Sequence, residues 1–399
     1  MDVKKSFKHF QGQTTPFPLA IHVDSAEGMY ITDKSGKRYL DLVAGVSACI
    51  LGHSHPIVVK AIKEQANKYL HVMVYGEFIQ DPQLNLAQKI ASILPSSLNC
   101  TYFVNSGTEA IEASMKLAKK ITERSEIISC KNSYHGSTHG TLSIMGYEGS
   151  KQKFRPLLPD CNQIKFNDFN SIQRITQRTA AVVIEPVQGA SGFITPEDGF
   201  LEAIRLRCDK MGTLLIFDEI QTCFGRTGNL FGIDTFKVVP DILCMAKGMG
   251  GGMSIGSFTS STKNMHFLRE NPILGHITTF GGHPIACAAS LATLNVLCES
   301  SILDEIPIKE ALFRSLLIHP KIKFISGKGL MLAIHFFDSE TTYFLVKRGL
   351  ERGIITFYFL HTKTAIRISP PLIISELEIR KAAQIILDIL DESSYLTKS

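Results

Sequence analysis

The chain has 399 residues, of which 44% are hydrophobic and 20% charged, a balance that supplies a large core and excludes disordered and fibrous classes. At about 150 residues per domain the length corresponds to two or three domains. The net charge of +5 is spread along the chain, too diffuse for a nucleic-acid surface, and no window reaches the about 18 uninterrupted apolar residues of a membrane-spanning helix.

The opening residues, Met1-Asp-Val-Lys-Lys-Ser-Phe-Lys-His-Phe, lack a secretory apolar core, so a cytoplasmic protein is expected. Thr101-Tyr-Phe-Val predicts a strand and residues 108–120 a helix. Residues 126–130 predict a strand, as do Ala180-Ala-Val-Val-Ile, Thr213-Leu-Leu-Ile-Phe and Asp241-Ile-Leu-Cys-Met-Ala, with a helix over 199–211. Unbroken apolar runs alternating with helices predict a mostly parallel sheet covered on both faces. A helix over 302–318, strands at 330–337 and 365–369, and a last helix follow. That helix opens with the capping-box pattern Ser375-Glu-Leu-Glu378. The expected organisation is a large α/β domain over 45–290 and a smaller α+β domain built from 1–44 and 291–399. Nine scattered cysteines form no Cys-x-x-Cys pair, which predicts free, mostly buried thiols in a reducing compartment.

Ligands of doubly wound sheets bind beyond the carboxyl ends of the strands, so polar residues directly after apolar runs are the candidates. Asn105-Ser106-Gly107-Thr108-Glu109-Ala110 is a strand end, a turn and a helix start. Its free N–H groups can hold a phosphate; an ordinary N-cap is the alternative. No Walker A or Gly-x-Gly-x-x-Gly sequence offers a nucleotide explanation. Asp218 follows four apolar residues in Leu214-Leu-Ile-Phe. A carboxylate there must meet a metal, a helix N-terminus or a protonated heterocyclic nitrogen, and no clustered metal-ligand spacing accompanies it. Lys247 ends another apolar run and leads into Gly-Met-Gly-Gly-Gly. Partly desolvated, it would have a lowered pKa and could form a Schiff base; an exposed lysine is the alternative. Ser133-Tyr134-His135-Gly136-Ser137 sets a flat ring among small neighbours, and His276-Ile-Thr-Thr279-Phe is a loop bearing hydroxyls. A phosphate seat, a stacking ring, a carboxylate for a ring nitrogen and an imine-forming lysine are together the needs of pyridoxal phosphate.

These motifs, in this order, resemble the class III aminotransferases of the fold-type I pyridoxal-phosphate enzymes. The likeness includes Tyr39-Leu-Asp-Leu-Val-Ala-Gly45, Gly52-His-Ser-His-Pro56, Tyr134-His-Gly136, Glu185-Pro-Val-Gln-Gly189, Phe217-Asp-Glu-Ile-Gln221, Phe224-Gly-Arg-Thr-Gly228, Lys247 and Thr278-Thr-Phe-Gly-Gly282. The resemblance implies that Lys247 carries the cofactor and then moves a proton as base and acid, while Asp218 keeps the ring nitrogen protonated. Gln221 would bond the ring hydroxyl and Tyr134 would stack on the ring. Gly107 and Thr108 would bind the phosphate, joined by Thr279 from a second subunit, so a homodimer is implied. Ser106, His135 and Glu185 complete the implied cofactor-binding set.

Departures bear on the substrate. Where ornithine, acetylornithine and 4-aminobutyrate enzymes carry an arginine for the substrate carboxylate, this chain has Ser137. Where they carry a glutamate that gates a C-terminal arginine, it has Ala190, although the arginine itself is kept as Arg367. His283 replaces the asparagine usual in the Gly-Gly-Asn-Pro loop. The expected activity is ping-pong transfer of an amino group, a terminal one, from a small amine or amino acid to 2-oxoglutarate or pyruvate. Alternatives are acetylornithine or ornithine aminotransferase proper, an aminomutase or decarboxylase of the same fold, and a non-catalytic binding protein.

Overall fold

The computed structural model describes residues 2–396. Its central sheet has seven strands in the order Cys100–Val104, Gly256–Ser260, Ile242–Ala246, Leu214–Asp218, Thr179–Ile184, Glu126–Cys130 and Cys161–Ile164. All neighbours run parallel except Gly256–Ser260, which is antiparallel to both of its partners. Two antiparallel pairings in succession restore the direction, so the other six strands point the same way. Their carboxyl ends therefore share one edge, and that edge receives Asn105, Ser133, Glu185, Asp218 and Lys247.

The strands are apolar throughout because both faces are covered. Along Leu214–Asp218, Ile216 packs on one side with Ile111, Ala113 and Leu117 of the helix Gly107–Thr122. Leu215 and Phe217 pack on the other with Ile204 of the helix Phe200–Met211 and Leu294 of the helix Pro284–Glu299. The last of these was not legible as a helix in the sequence. Its start gives His283 an account: Nδ1 accepts from the Ile285 N–H at 3.3 Å, the capping role open to an asparagine oxygen. The capping box at the last helix is present, with Ser375 Oγ donating to Glu378 at 2.7 Å and accepting from the Glu378 N–H at 3.3 Å.

Two smaller sheets complete the fold. Val23–Glu27, Tyr30–Asp33 and Arg38–Asp41 form a meander, and Ile354–Ile355 from late in the chain adds parallel to its last strand. The other sheet is antiparallel, in the order Ile322–Lys328, Met331–Phe336, Ala365–Ile368, Phe357–Tyr358. All nine cysteines are free; five are buried, three are half-buried, and Cys298 is exposed. Among the described residues no single helix is long and apolar enough to cross a membrane.

Asp41 ends its strand as a staple. One carboxylate oxygen accepts from the N–H groups of Val43 and Ala44, and the other faces His53 Nε2 at 2.9 Å. The bond to Asp41, with Cys49 beside it, raises the His53 pKa to about 9. A raised histidine pKa stabilises the fold fully below the unfolded value of 6.5, and the contribution is lost as pH climbs through about 9. Urea denaturation between neutral pH and pH about 9.5 will therefore show stability falling by on the order of 2 kcal/mol. His53→Gln flattens that decline; an equally steep fall in the variant would remove His53 as its source.

Candidate active site

A cavity of about 870 Å³ opens at the carboxyl edge of the central sheet. Eleven of the twelve sequence-predicted site residues line it: Ser106, Gly107, Thr108, Tyr134, His135, Ser137, Glu185, Asp218, Gln221, Lys247 and Arg367. Thr279 does not; it stands exposed on the surface of its own chain.

The helix Gly107–Thr122 points its N-terminus into the cavity, with Ser106 as N-cap. A Cβ at Gly107 would lie 2.6 Å from Ile220 Cδ1. Glycine thus lets the helix start press against the segment that follows Asp218. The Thr108 hydroxyl sits 2.7 Å from that of Thr138 and 2.8 Å from that of Thr141. Gly136, at φ +130°, leaves it room, since a Cβ there would come within 2.3 Å of Thr108 Oγ1. Behind this group Glu112 accepts from the Thr138 hydroxyl and from the N–H groups of Gly140 and Thr141. Unpaired N–H groups at a helix start, flanked by a hydroxyl, form a seat for a phosphate.

At the floor Asp218 is 4% exposed. One of its oxygens accepts from the Ile220 N–H at 3.1 Å, and the other meets His135 Nδ1 at 2.7 Å. Burial alone would depress the His135 pKa, but the bond to Asp218 and the charges of Asp218 and Glu185 outweigh it and raise it. Glu185 accepts from the N–H groups of Tyr134 and Gly189. Its pKa is pushed up to about 7, chiefly by burial and secondarily by the charge of Asp218. Gln221 donates to Ser47 Oγ at 3.3 Å, and the Tyr134 hydroxyl lies 3.1 Å from Ser137 Oγ.

Lys247 follows the strand Ile242–Ala246 directly, with φ +47°, in the left-handed region that side chains adopt only under constraint. Burial lowers its pKa against the opposing charges of Asp218 and Glu185, which favours the uncharged, nucleophilic amine. Arg367 faces the cavity from the strand Ala365–Ile368. Near it lie Phe193 and Phe359, with Phe357 and Tyr358 at the cavity wall. These aromatics were missed in the sequence. The run Ile355-Thr-Phe-Tyr-Phe-Leu carries a short strand signal, whereas nothing around Phe193 marks it.

No group of three or more metal-ligating side chains occurs among the described residues. Chemically the cavity offers an anion seat, a buried carboxylate, an amine of lowered pKa and a guanidinium.

Comparison with known proteins points the same way. A family described as "Aminotransferase class-III" matches residues 11–390. The acetylornithine aminotransferase of Methanopyrus kandleri is 35% identical over 98% of this chain and 100% of that protein. The putrescine aminotransferase of Pectobacterium atrosepticum is 36% identical over 90% of this chain and 80% of that protein. Among solved structures, a Toxoplasma gondii ornithine aminotransferase with partial occupancy of pyridoxal phosphate superposes with a TM-score of 0.92. It shares 28% identity over 99% of this chain and 95% of that one.

Proposed function

This chain belongs to the class III aminotransferase family, a fold-type I group whose cofactor is pyridoxal phosphate, and from that premise we propose that it moves a terminal amino group from a small amine or amino acid to a 2-oxo acid. The observation that carries the reading is Lys247, an amine of burial-lowered pKa, sharing one cavity with the buried Asp218 carboxylate and the phosphate seat. The residues fit the cofactor: Gly107 and Thr108 at the helix start take the phosphate, and Asp218 offers the acceptor that a ring nitrogen requires. When bound, pyridoxal phosphate supplies a carbonyl for amines and a ring that accepts electrons from an adjacent carbanion.

Lys247 Nζ would hold the cofactor and, once free, its amine would take up the proton leaving the substrate carbon and give it back as an acid. Asp218 would keep the ring nitrogen protonated, and His135 holds the Asp218 carboxylate through the 2.7 Å contact. Tyr134 would cover the ring and Gln221 would bond its hydroxyl, while Ser106 caps the helix start and Glu185 holds the Tyr134 and Gly189 backbone. Arg367 takes the carboxylate of the 2-oxo acid.

Lys247 and Arg367 are the lysine and arginine that line the cavity among the described residues, and Ser137 stands at the third position, where the family resemblance puts a carboxylate-binding arginine. Ser137 bonds to Tyr134, and Phe357, Tyr358 and Leu360 supply apolar surface. We therefore assign a donor whose tail is neutral, apolar, hydroxylated or cationic rather than a second carboxylate. Acetylornithine or ornithine transamination is the second reading, favoured by the named relatives and weakened by Ser137.

The protein acts as a homodimer. Tyr75 donates to the Thr278 carbonyl at 3.3 Å, which places the Thr279 loop beside exposed Phe280, Phe78 and Ile79. An apolar surface of this kind suits a second copy that brings Thr279 to the partner's phosphate seat. Large α/β and small α+β units over 45–290 and over 1–44 with 291–399 are consistent with the three sheets. The nine free cysteines support a cytoplasmic setting.

The test is a set of half-reactions on cofactor-loaded protein, following its visible absorbance with each donor alone. Bleaching by glutamate or alanine and by neutral-tailed or diamine donors, with little from acetylornithine, is expected. Ser137→Arg should then raise the acetylornithine rate by about 10-fold, the worth of one charge-assisted contact. Silence with every donor would overturn the assignment; a wild-type preference for acetylornithine would install the second reading.

A further inference from the structure

Arg367 is 5% exposed. Among the described residues its guanidinium makes no hydrogen bond and no ion pair, and Nε is buried without a partner. A buried cation without an anion is costly unless something else offsets its lost hydration. Two rings do so here. Arg367 Cζ lies over the Phe359 ring at 4.7 Å from the centroid and over the Phe193 ring at 5.8 Å. The rings meet edge to face at 4.8 Å and are 3% and 0% exposed respectively.

Both rings are fixed by the turn that carries Ala190. Gln188 and Ile194 exchange backbone hydrogen bonds of 2.9 and 3.2 Å across it, and the His361 N–H donates to the Ala190 carbonyl at 3.1 Å. Phe193 is held at φ +53° in the same turn. A non-glycine residue is kept in that conformation only where the surroundings enforce it.

We propose that Phe359, backed by Phe193, is the positioning element that holds Arg367 ready for a substrate carboxylate, in place of an ion-paired acidic side chain. Ring faces attract the cation through their quadrupole without consuming its N–H donors. An acidic partner would have to be displaced by each incoming carboxylate; these rings do not. The inference rests on the transaminase reading for the identity of the carboxylate, a 2-oxo acid or amino acid.

The experiment uses cofactor-loaded protein and glutarate, a dicarboxylate that cannot transaminate, with binding measured by calorimetry. Phe359 is replaced in turn by mono-, di- and trifluorophenylalanine, which weaken the ring's quadrupole while nearly preserving its shape. The glutarate Kd should rise stepwise, by about 3- to 30-fold across the series, with a small stepwise fall in melting temperature as the offset to the guanidinium's burial weakens. Phe359→Leu should move Kd the same way. The same fluorination at Phe313, a fully buried ring in the helix Ile302–Leu316, should leave Kd where it was. A flat series at Phe359, a fall in Kd, or no glutarate binding to the unmodified protein overturns the proposal. Failure of the transaminase reading looks different: glutarate binds, yet no amine or amino acid bleaches the cofactor.

Discussion

Lys247→Ala will lose at least about 10⁴-fold in amino-transfer rate, because the proposed function gives one side chain the roles of both cofactor anchor and proton carrier. The variant should keep its fold. Alanine inherits the same left-handed backbone at φ +47°, so the strain is unchanged and only an amine disfavoured by burial is removed. Cofactor should still bind through the phosphate seat at Gly107 and Thr108, though without its lysine linkage. Rapid-mixing kinetics with the best donor measures the rate, and the visible spectrum before mixing reports the lost linkage. Added methylamine should restore part of the proton transfer but none of the linkage. A variant retaining a tenth of the wild-type rate would remove Lys247 from the chemistry.

Asp218→Asn should reduce the same rate by about 10²- to 10³-fold, the usual effect of removing one preorganised electrostatic contact. The substitution preserves volume, and the amide oxygen can still accept from the Ile220 N–H. What it removes is the buried negative charge that the proposed function sets against the ring nitrogen. The loss has a second, independent readout. Asp218 and Glu185 are what lift the His135 pKa against its burial, so the His135 titration followed by NMR must move down in the variant. Asp218→Glu keeps the charge and should recover much of the histidine shift but less of the rate, since the longer side chain displaces the carboxylate. A normal rate with a lowered histidine pKa would separate Asp218 from catalysis while leaving its pairing intact.

The central sheet and much of the site were legible because a strand covered on both faces has no room for polar residues until it emerges. Asp218 and Lys247 stood out as the first charges after apolar runs. The helix start at Gly107 was readable from its N-cap serine and the lysines at its far end. The strand Gly256–Ser260 was not, since Gly-Ser-Phe-Thr-Ser looks like a loop. It lies fully buried because its hydroxyls are satisfied: Thr259 bonds Thr101 at 2.8 Å and Ser260 bonds the Asp241 carbonyl at 2.6 Å. It is also the antiparallel exception in a sheet otherwise parallel. The aromatic pair at Arg367 was illegible for another reason. Phe193 and Phe359 are far apart in sequence and meet only through the turn at Ala190.

The strand Ile354–Ile355 also constrains how the protein is made. It pairs with Leu40 and Asp41, with the Leu40 N–H bonded to the Gly353 carbonyl at 2.9 Å and the Lys37 amine to the Leu350 carbonyl at 2.8 Å. The first sheet of the chain therefore lacks its last strand until roughly 300 more residues have left the ribosome, about 15 to 60 s at ordinary elongation rates. Through that interval Leu40 and Asp41 present an open strand edge, the kind of surface that pairs with the wrong chain. The N-terminal meander waits as an unfinished edge while the central sheet, whose strands all lie between residues 100 and 260, can form first.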